Sequence, residues 1–325
     1  MILRGILLDK KYKVVSTAVT FGKFNSEPVE RLKEIGCEVM LNPFGRPFST
    51  AEFKELASDA DAIICGNDKI NEEVIRSLKN CKVIAKHGVG IDGIDIDTAK
   101  ELGITVTNAP GTNKAEVADL AMGFLLAMAR DIPKMSAETK DGKWIKYPGY
   151  SMEGKTIGII GVGNIGTEMV KRCLGFGLKV IAYDPVQREE IKKMGVKYVE
   201  LSEMLQDSNY ISLHCPLNAM SHQMLGKSEI KTMKSGIIIV NTARSQILDY
   251  DALYEAMVEK DILGYASDVF DFEPPAMHPL YALENVYLTP HVGGTTYDSN
   301  YRMGSTAVNN VIEVFKGKTP PNLIA

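Results

Sequence analysis

The stretch Lys155-Thr-Ile-Gly-Ile-Ile-Gly161-Val-Gly163-Asn-Ile-Gly166 joins an apolar run to a glycine-rich turn. The run at 157–160 has the composition of a buried strand, and the pattern at 164–176 is typical of a helix. A second apolar run at 179–183 ends at Asp184, roughly 20 residues beyond the turn. The sequence therefore predicts a strand, a turn, a helix and a second strand of a parallel α/β sheet.

Each glycine of this turn has a physical reason. Gly161 permits a tight turn, Gly163 lets the backbone approach a pyrophosphate, and Gly166 lets the helix pack close to the sheet. Free N–H groups at the helix N-terminus favour phosphate, and Asp184 is placed to accept hydrogen bonds from the ribose hydroxyls of a dinucleotide. A carboxylate there repels the 2′-phosphate of NADP, so the pattern favours NAD, although Arg188 lies nearby in the sequence.

Length and composition limit the class of protein. A chain of 325 residues fits two domains, and 45% hydrophobic with 24% charged residues is typical of a soluble globular protein. A formal net charge of -4 without a basic stripe argues against nucleic-acid binding, and we find no signal peptide or membrane span. Scattered cysteines predict reduced thiols and a cytoplasmic location: Cys37, Cys65, Cys81, Cys173 and Cys215.

Two blocks of short apolar runs alternate with amphipathic helical patterns, which predicts parallel sheets built from βαβ units. The first block has predicted strands at 14–19, 37–41, 62–65, 83–86 and 104–106. The second block has them at 156–160, 179–183, 197–199, 210–214, 236–241, 264–268 and 286–289. The predicted fold class is α/β, with two Rossmann-like, doubly wound domains.

Helical patterns connect these blocks. Helices are predicted at 28–35 and 51–57, and a longer one at 113–130 has Asn113 as its candidate cap. That longer helix is apolar on more than one face, which predicts a position between domains, against a second subunit, or both. A last helix is predicted at 305–315, and residues 1–12 read as an extra leading segment that includes a possible edge strand.

Polar residues collect directly after three late strands of the second block, where an open parallel sheet forms its ligand crevice. Arg244 ends the motif Asn241-Thr-Ala-Arg244, Glu273 follows shortly after Asp268, and His291 follows the last strand. A guanidinium offers a planar two-pronged donor to a carboxylate, and an imidazole can exchange the proton of a hydroxyl group near neutral pH. With Glu273 on the other ring nitrogen, this set predicts NAD-dependent oxidation of a 2-hydroxy acid.

Each of these residues also has a structural interpretation. Arg244 can form a surface ion pair, His291 can be a buried hydrogen-bonded histidine, Glu273 a solvated acid and Asp268 a structural carboxylate. The remaining histidines have no metal-ligand spacing and are predicted to be structural: His87, His214, His222 and His278. We predict no metal site.

At these motifs the chain resembles the D-2-hydroxyacid dehydrogenase family, and within it the short-form phosphoglycerate dehydrogenases. The resemblance covers nearly the whole chain and rests on the glycine-rich turn together with Gly88-Val-Gly90-Ile-Asp92, Asn108-Ala-Pro110-Gly-Thr-Asn113, His214-Cys-Pro216-Leu217, Asn241-Thr-Ala-Arg244, Asp268-Val-Phe270, Glu273-Pro274 and Pro290-His291-Val-Gly293-Gly294. It implies a nucleotide-binding domain at 109–296 inserted into a substrate-binding domain formed by 1–108 and 297–325, usually in a homodimer.

The resemblance also implies roles for individual residues. Arg244, Glu273 and His291 would form the catalytic set, with Arg244 binding the substrate carboxylate. The backbone at Gly88, Val89 and Gly90 would donate to the same carboxylate. Cofactor contacts are implied at Gly161, Gly163, Asn164, Ile165, Gly166, Asp184, Pro216, Thr242, Asp268, Gly293 and Gly294.

The substrate is less closely defined. The segment Asn42-Pro-Phe-Gly-Arg46-Pro resembles a loop of phosphoglycerate dehydrogenases, and Arg46 with Lys86 would hold a phosphate. The first expectation is therefore 3-phosphoglycerate and 3-phosphohydroxypyruvate, in serine biosynthesis. For the segment, the alternative is an ordinary turn with solvated cations. For the function, the alternative is a reductase that acts on glyoxylate, hydroxypyruvate or pyruvate.

The sequence departs from the family pattern in two places. Ser245 stands where the family commonly has Gly, and the chain ends at Ala325, which predicts no serine-binding regulatory domain. An NAD-sensing, corepressor-like protein is the alternative function, which the complete catalytic set and the lack of disordered tails disfavour. Glu273 disfavours a formate-type dehydrogenase, for which the resemblance predicts Gln.

Overall fold

The computed structural model describes residues 11–325, which form two compact units. One unit contains the described chain up to Asn113 together with Gly294–Ala325, and the other is the continuous segment Lys114–Gly293. Most of the leading segment predicted at 1–12 lies outside the described residues. The predicted domain boundaries at 108/109 and 296/297 stay a prediction.

The first unit is built on a parallel sheet. Its strands are β1 Lys13–Ser16, β2 Glu38–Met40, β3 Ala62–Cys65, β4 Val83–Lys86 and β5 Thr105–Thr107. The helices between them are α1 Glu27–Glu34, α2 Thr50–Leu56, α3 Glu72–Ser77 and α4 Ile96–Glu101. The strand order β2-β1-β3-β4-β5 reverses direction between β1 and β3, which is a doubly wound topology.

The second unit has a larger parallel sheet. Its helices are α5 Lys114–Ala129, α6 Ile132–Lys140, α7 Asn164–Gly175, α8 Glu189–Lys193, α9 Leu201–Asp207, α10 Lys227–Thr232 and α11 Tyr250–Val258. Its strands are β6 Thr156–Ile160, β7 Lys179–Tyr183, β8 Lys197–Tyr198, β9 Tyr210–Leu213, β10 Ile237–Asn241, β11 Ile262–Ser267 and β12 Val286–Leu288. The strand order β12-β11-β10-β9-β6-β7-β8 places the reversal between β6 and β9. After this segment the chain returns to the first unit and forms its last helix, α12 Tyr297–Phe315.

Both faces of each sheet are covered by apolar packing. Val14 and Val15 on β1 belong to hydrophobic clusters on opposite faces of the first sheet. Ile238 and Ile239 on β10 do the same in the second sheet. Because both faces are buried, the strands read as continuous apolar runs, and this is why the sequence revealed them.

The structure corrects two predicted boundaries by several residues. The strand predicted at 14–19 ends at Ser16, because the next two amides, Thr17 N and Ala18 N, both donate to Ile64 O and the alternating ladder of hydrogen bonds stops there. The helix predicted at 305–315 begins at Tyr297, after a capping box between Thr296 and Ser299. Its first turns are polar, so apolar periodicity alone does not mark them.

The prediction that Asn113 caps the long helix is wrong. Within the described residues, Asn113 Oδ1 is buried and has no hydrogen-bond partner. The amide lies instead beside Gly294, where a Cβ atom would come within 2.9 Å of Asn113 Nδ2. Helix α5 packs against α7 and β10 and has buried residues on several sides: Val117, Ala118, Ala121, Met122, Phe124, Leu125 and Ala129.

The cysteines agree with the prediction of reduced thiols. The five cysteines are free thiols, and Cys37, Cys65 and Cys173 are buried. Between residues 11 and 325, no helix has the length and apolar character that crossing a membrane requires.

Candidate active site

The glycine-rich turn follows β6 at the point where the strand order reverses. Gly161 has φ +87°, and a Cβ atom there would lie 2.5 Å from the backbone nitrogen of Cys215. A Cβ atom on Gly166 would lie 2.0 Å from the carbonyl oxygen of Gly161. Around Gly163 a Cβ atom would meet no heavy atom of the described chain within 4 Å. The backbone thus requires two of these glycines, and the third leaves open space against which a dinucleotide can pack.

The N-terminus of α7 faces this open space with unpaired donors. Gly163 is the N-cap residue, and in this part of the described chain no side chain caps the helix. The first backbone N–H groups, at Asn164, Ile165 and Gly166, therefore have no intrahelical acceptor, and the helix dipole adds partial positive charge. This arrangement fits a pyrophosphate group.

Asp184 lies at the end of β7, beside the same turn. Its Oδ2 accepts a hydrogen bond from Val162 N at 2.7 Å, and its Oδ1 accepts one from Val186 N at 2.8 Å. These bonds fix the carboxylate, and each oxygen keeps a further lone pair for a hydroxyl group. The residues present therefore fit NAD, with Asp184 at the adenosine ribose.

Replacing Asp184 with alanine is expected to weaken NAD binding about tenfold, because a charge-assisted hydrogen bond is lost. The preference for NAD over NADP is also expected to narrow, because the charge that repels the 2′-phosphate is gone. Dissociation constants from NADH and NADPH fluorescence measure both effects. Asp184→Asn is the matched control, since it keeps an acceptor for Val162 N. An unchanged NAD/NADP ratio in both variants would refute the ribose assignment.

Arg244 follows β10 and is held by its neighbours. Asn241, which is fully buried, accepts a hydrogen bond from Ala243 N at 2.9 Å and donates one to Arg244 O at 2.8 Å. The guanidinium donates to Ala243 O at 2.6 Å. The sequence motif included Asn241 but did not predict that its side chain supports the backbone at Arg244. The signal for this role is a single amide side chain at the end of an apolar strand.

His291 and Glu273 form a close pair after β12 and β11. His291 Nδ1 lies 2.6 Å from Glu273 Oε1, and both side chains are about one-third exposed. His291 has φ 52°, a left-handed conformation that is uncommon for residues other than Gly. With Nδ1 occupied by a carboxylate, the imidazole is oriented and Nε2 is the nitrogen that can exchange a proton.

Asp268 supports the turn that carries His291. It is 2% exposed, and its Oδ1 accepts hydrogen bonds from Thr289 Oγ1 at 2.6 Å and Val292 N at 2.7 Å. Its Oδ2 accepts one from Gly293 N at 2.7 Å. Burial raises the pKa of Asp268, and these hydrogen bonds oppose the shift. The predicted contact of Asp268 with the cofactor stays a prediction.

The remaining predicted cofactor residues of this unit lie at the same sheet edge. Thr242 follows β10 and its Oγ1 lies 3.4 Å from His214 Nδ1. Pro216 lies just beyond β9, and its carbonyl accepts a hydrogen bond from Ser221 Oγ at 2.6 Å. His214 Nε2 also contacts Ser212 Oγ at 2.8 Å, which agrees with the structural role predicted for His214.

The first unit carries the predicted substrate-binding residues. The turn Gly88-Val-Gly90 follows β4, and Gly88 O accepts a hydrogen bond from Ala109 N at 2.8 Å. Lys86 is buried, and its ammonium donates to Gly66 O and to Asn67 Oδ1. The ammonium of Lys86 is therefore held by protein acceptors.

Arg46 is paired with Glu52 through two hydrogen bonds. Arg46 Nη1 lies 2.9 Å from Oε2 and Nη2 lies 2.7 Å from Oε1 of that carboxylate. The hydrogen bond from the Arg46 guanidinium lowers the pKa of Glu52 to about 2. Glu52 also completes the capping box of α2 with Ser49. Sequence reasoning missed this pairing, although Ser-x-x-Glu is a capping signal.

His87 is buried next to the first turn of α12. Its ring lies 5.8 Å from that of Phe21, edge to face, and it is 7% exposed. Burial lowers the pKa of His87 to about 4, with a hydrogen bond to the Asn300 backbone opposing the shift and the charge of Lys86 adding to it. His87 is therefore neutral at physiological pH.

The titration of His87 has a predicted effect on stability. The pKa of His87 is near 6.5 in the unfolded chain and near 4 in the folded chain. The stability contributed by the neutral ring is therefore present above pH 6.5 and is lost as pH falls through about 4. This loss amounts to about 3 kcal/mol. An NMR titration of the ring carbons, assigned with His87→Gln, is expected to show a midpoint near 4. A midpoint near 6.5 would contradict it.

Residues 122–293 match the family model described as D-isomer specific 2-hydroxyacid dehydrogenase, NAD binding domain. A hydroxypyruvate reductase from Thermotoga maritima is 41% identical over 268 residues, which are 81% of this chain and 87% of the relative. A D-3-phosphoglycerate dehydrogenase from Methanocaldococcus jannaschii is 39% identical over 305 residues, which are 92% of this chain and 57% of the relative. A crystal structure of D-lactate dehydrogenase from Aquifex aeolicus, complexed with NAD and lactic acid, has a TM-score of 0.84 at 28% identity and covers 96% of this chain and 98% of that chain.

Proposed function

Because the chain belongs to the D-isomer specific 2-hydroxyacid dehydrogenase family and is an NAD-dependent enzyme, we propose that Arg244, Glu273 and His291 interconvert a small D-2-hydroxy acid and its 2-oxo acid. The predictions of the family, of the α/β fold and of NAD are confirmed. The observation that carries the catalytic assignment is the 2.6 Å contact between His291 Nδ1 and Glu273 Oε1, in the unit that also holds the glycine-rich turn.

Each residue of the proposed set has one chemical task. When bound, NAD accepts or returns the hydride of the carbon that bears the hydroxyl group. Glu273 fixes Nδ1 of His291, so Nε2 exchanges the hydroxyl proton. Arg244 binds the substrate carboxylate through two parallel N–H groups, which a lysine ammonium does not offer.

For the substrate we favour an unphosphorylated 2-oxo acid of two or three carbons, such as glyoxylate or hydroxypyruvate. The supporting observation is the Arg46–Glu52 pair, which satisfies both prongs of the guanidinium predicted to hold a phosphate. Lys86 is likewise bound to Gly66 and Asn67. The second candidate is 3-phosphoglycerate, in serine biosynthesis, and the similarity to the phosphoglycerate dehydrogenase supports it.

Replacing Arg46 with alanine separates the two candidates. If Glu52 occupies the guanidinium, KM for hydroxypyruvate and KM for 3-phosphohydroxypyruvate are expected to change by the same small factor, below about threefold. If Arg46 binds phosphate, only KM for the phosphorylated substrate rises, by about tenfold or more. Steady-state NADH kinetics with both substrates measure the difference. Lys23→Ala is the control for removal of an exposed cation from the same unit.

The proposal as a whole is tested with a substrate panel. Glyoxylate, hydroxypyruvate, pyruvate and 3-phosphohydroxypyruvate are supplied with NADH while absorbance of NADH is followed. In the reverse direction, glycolate, which is achiral, and both the D- and the L-isomers of the other three hydroxy acids are supplied with NAD. We expect turnover with the 2-oxo acids and selectivity for the D-isomer. If no member of the panel is turned over, the proposed reaction is wrong. The family comparisons favour this enzyme over the corepressor-like alternative.

We also propose a cytoplasmic homodimer. Apolar side chains are exposed along and after α6: Ile132, Trp144, Ile145 and Tyr150 are 50%, 84%, 50% and 52% exposed. Large apolar side chains that are exposed within one segment support a protein interface there. Light scattering after size-exclusion chromatography measures the mass, and a value near 35.7 kDa would contradict the dimer.

A further inference from the structure

Ser245, the residue directly after Arg244, links two loops of the second unit. We propose that Ser245 is a positioning residue that couples the Arg244 loop to the loop carrying Glu273, through a hydrogen bond to Asp271. The inference rests on the proposed function, because it assumes that Arg244 and Glu273 act together in catalysis. It concerns residues of the second unit alone.

The Ser245–Asp271 hydrogen bond is short and charge-assisted. Ser245 is 1% exposed, and its Oγ donates to Asp271 Oδ1 at 2.6 Å. Bonds from a hydroxyl group to a carboxylate at this distance are about twice as strong as bonds between neutral groups. The residues are 26 positions apart in the sequence, so the bond joins two separate loops.

The Arg244 side of this link is rigid. Asn241, at the end of β10, binds both Ala243 N and Arg244 O through its side chain. Ser245 begins a short 3-10 turn, Ser245–Ile247, whose backbone any residue can adopt. The backbone therefore does not require glycine at this position, and the side chain is available for a specific contact.

The segment that carries Glu273 is exposed along most of its length. Phe272 is 63% exposed and Met277 is 91% exposed, so the segment between Asp271 and His278 contributes little to the core. Its far end is held at His278, whose ring packs against Tyr250 of α11 with 5.9 Å between the ring centroids. Its near end is held by Ser245 through Asp271. Exposed segments with few buried contacts open at low cost, so an anchor at each end limits their motion.

The position of the link has a consequence for catalysis. Glu273 lies two residues after Asp271 and contacts His291 at 2.6 Å. Loss of the anchor lets Glu273 leave Nδ1 of His291 more often, which disorders the group that exchanges the proton. We therefore expect a loss in kcat with little change in KM, because Arg244 keeps its own support from Asn241.

The test uses four single variants, one double variant and two measurements. Ser245→Ala and Asp271→Ala remove the bond, Asp271→Asn keeps an acceptor at Oδ1, and Ser208→Ala is the control. Ser208 Oγ is buried in the same unit and, among the described residues, has no hydrogen-bond partner. Steady-state kinetics with a 2-oxo acid and NADH give kcat and KM. Backbone 15N relaxation at 270–273 and 276–277 in the protein without substrate reports loop mobility independently of activity.

The expected results for the variants distinguish two coupled residues from two residues that act independently. Ser245→Ala and Asp271→Ala each lower kcat about tenfold and raise the backbone mobility of the segment that carries Glu273, while the kcat of Asp271→Asn stays within about threefold of the wild type. The double variant that combines Ser245→Ala with Asp271→Ala has a kcat no lower than that of either single variant, because both substitutions remove the same bond. Ser208→Ala changes neither measurement.

An inactive wild-type protein overturns the proposed function. Wild-type turnover together with unchanged kcat and unchanged backbone mobility in Ser245→Ala overturns the positioning role alone. Additive losses in the double variant also overturn it, because the two residues then act separately. A rise in KM without a loss of kcat would place Ser245 in substrate binding and likewise contradict the proposal.

Discussion

The variant His291→Asn is expected to have a kcat at least about a hundredfold below that of the wild type, because the group that exchanges the hydroxyl proton is gone. The dissociation constant for NAD is expected to stay within about threefold, since His291 makes no proposed contact with the cofactor phosphates or ribose. Stopped-flow and steady-state assays measure kcat, and NADH fluorescence measures binding.

The choice of asparagine follows from the backbone. His291 has φ 52°, and asparagine tolerates this left-handed conformation better than alanine does. His291→Ala is expected to lose the same activity with an added loss of stability. His222→Asn, at an exposed histidine of the same unit, is the matched control and keeps full activity. Turnover of His291→Asn comparable to that of the wild type would remove His291 from the mechanism.

The variant Arg244→Lys is expected to lower kcat/KM for a 2-oxo acid about a hundredfold, although the positive charge is kept. A lysine ammonium is a point donor and cannot make two parallel hydrogen bonds to a carboxylate. The loss is expected in KM as well as in kcat, because the carboxylate is bound in the ground state and in the transition state.

The control for Arg244→Lys is Arg172→Lys. Arg172 pairs with Asp119 at 2.7 Å and with Glu168 at 3.3 Å on the surface of the same unit. Its replacement is expected to leave kcat/KM unchanged. If Arg244→Lys retained kcat/KM within about threefold of the wild type, a two-pronged contact would be excluded.

The fold was largely predictable because its signals are local. The glycine-rich turn and the apolar runs depend on residues adjacent in sequence, and parallel strands buried on both faces leave a strong pattern. The positions of Arg244, Asp268 and His291 followed from their location just after strands, since strand ends meet at one sheet edge.

The details that were missed depend on contacts between distant residues. The pairing of Arg46 with Glu52 decides whether the guanidinium is available to a substrate, and sequence spacing does not show that both are on one surface. The bond from Ser245 to Asp271 spans two loops whose proximity only the folded sheet creates. Asn113 failed as a cap because its amide lies against Gly294, far away in the sequence.

The second unit is one uninterrupted stretch of chain, Lys114–Gly293, and this has a practical consequence. That stretch contains Arg244, Glu273, His291 and the glycine-rich turn. The other unit contains Arg46, Lys86 and the turn at 88–90. Two junctions are enough to graft the stretch into a relative. Comparison of the substrate preference of such chimaeras with that of each parent would show which unit determines selectivity.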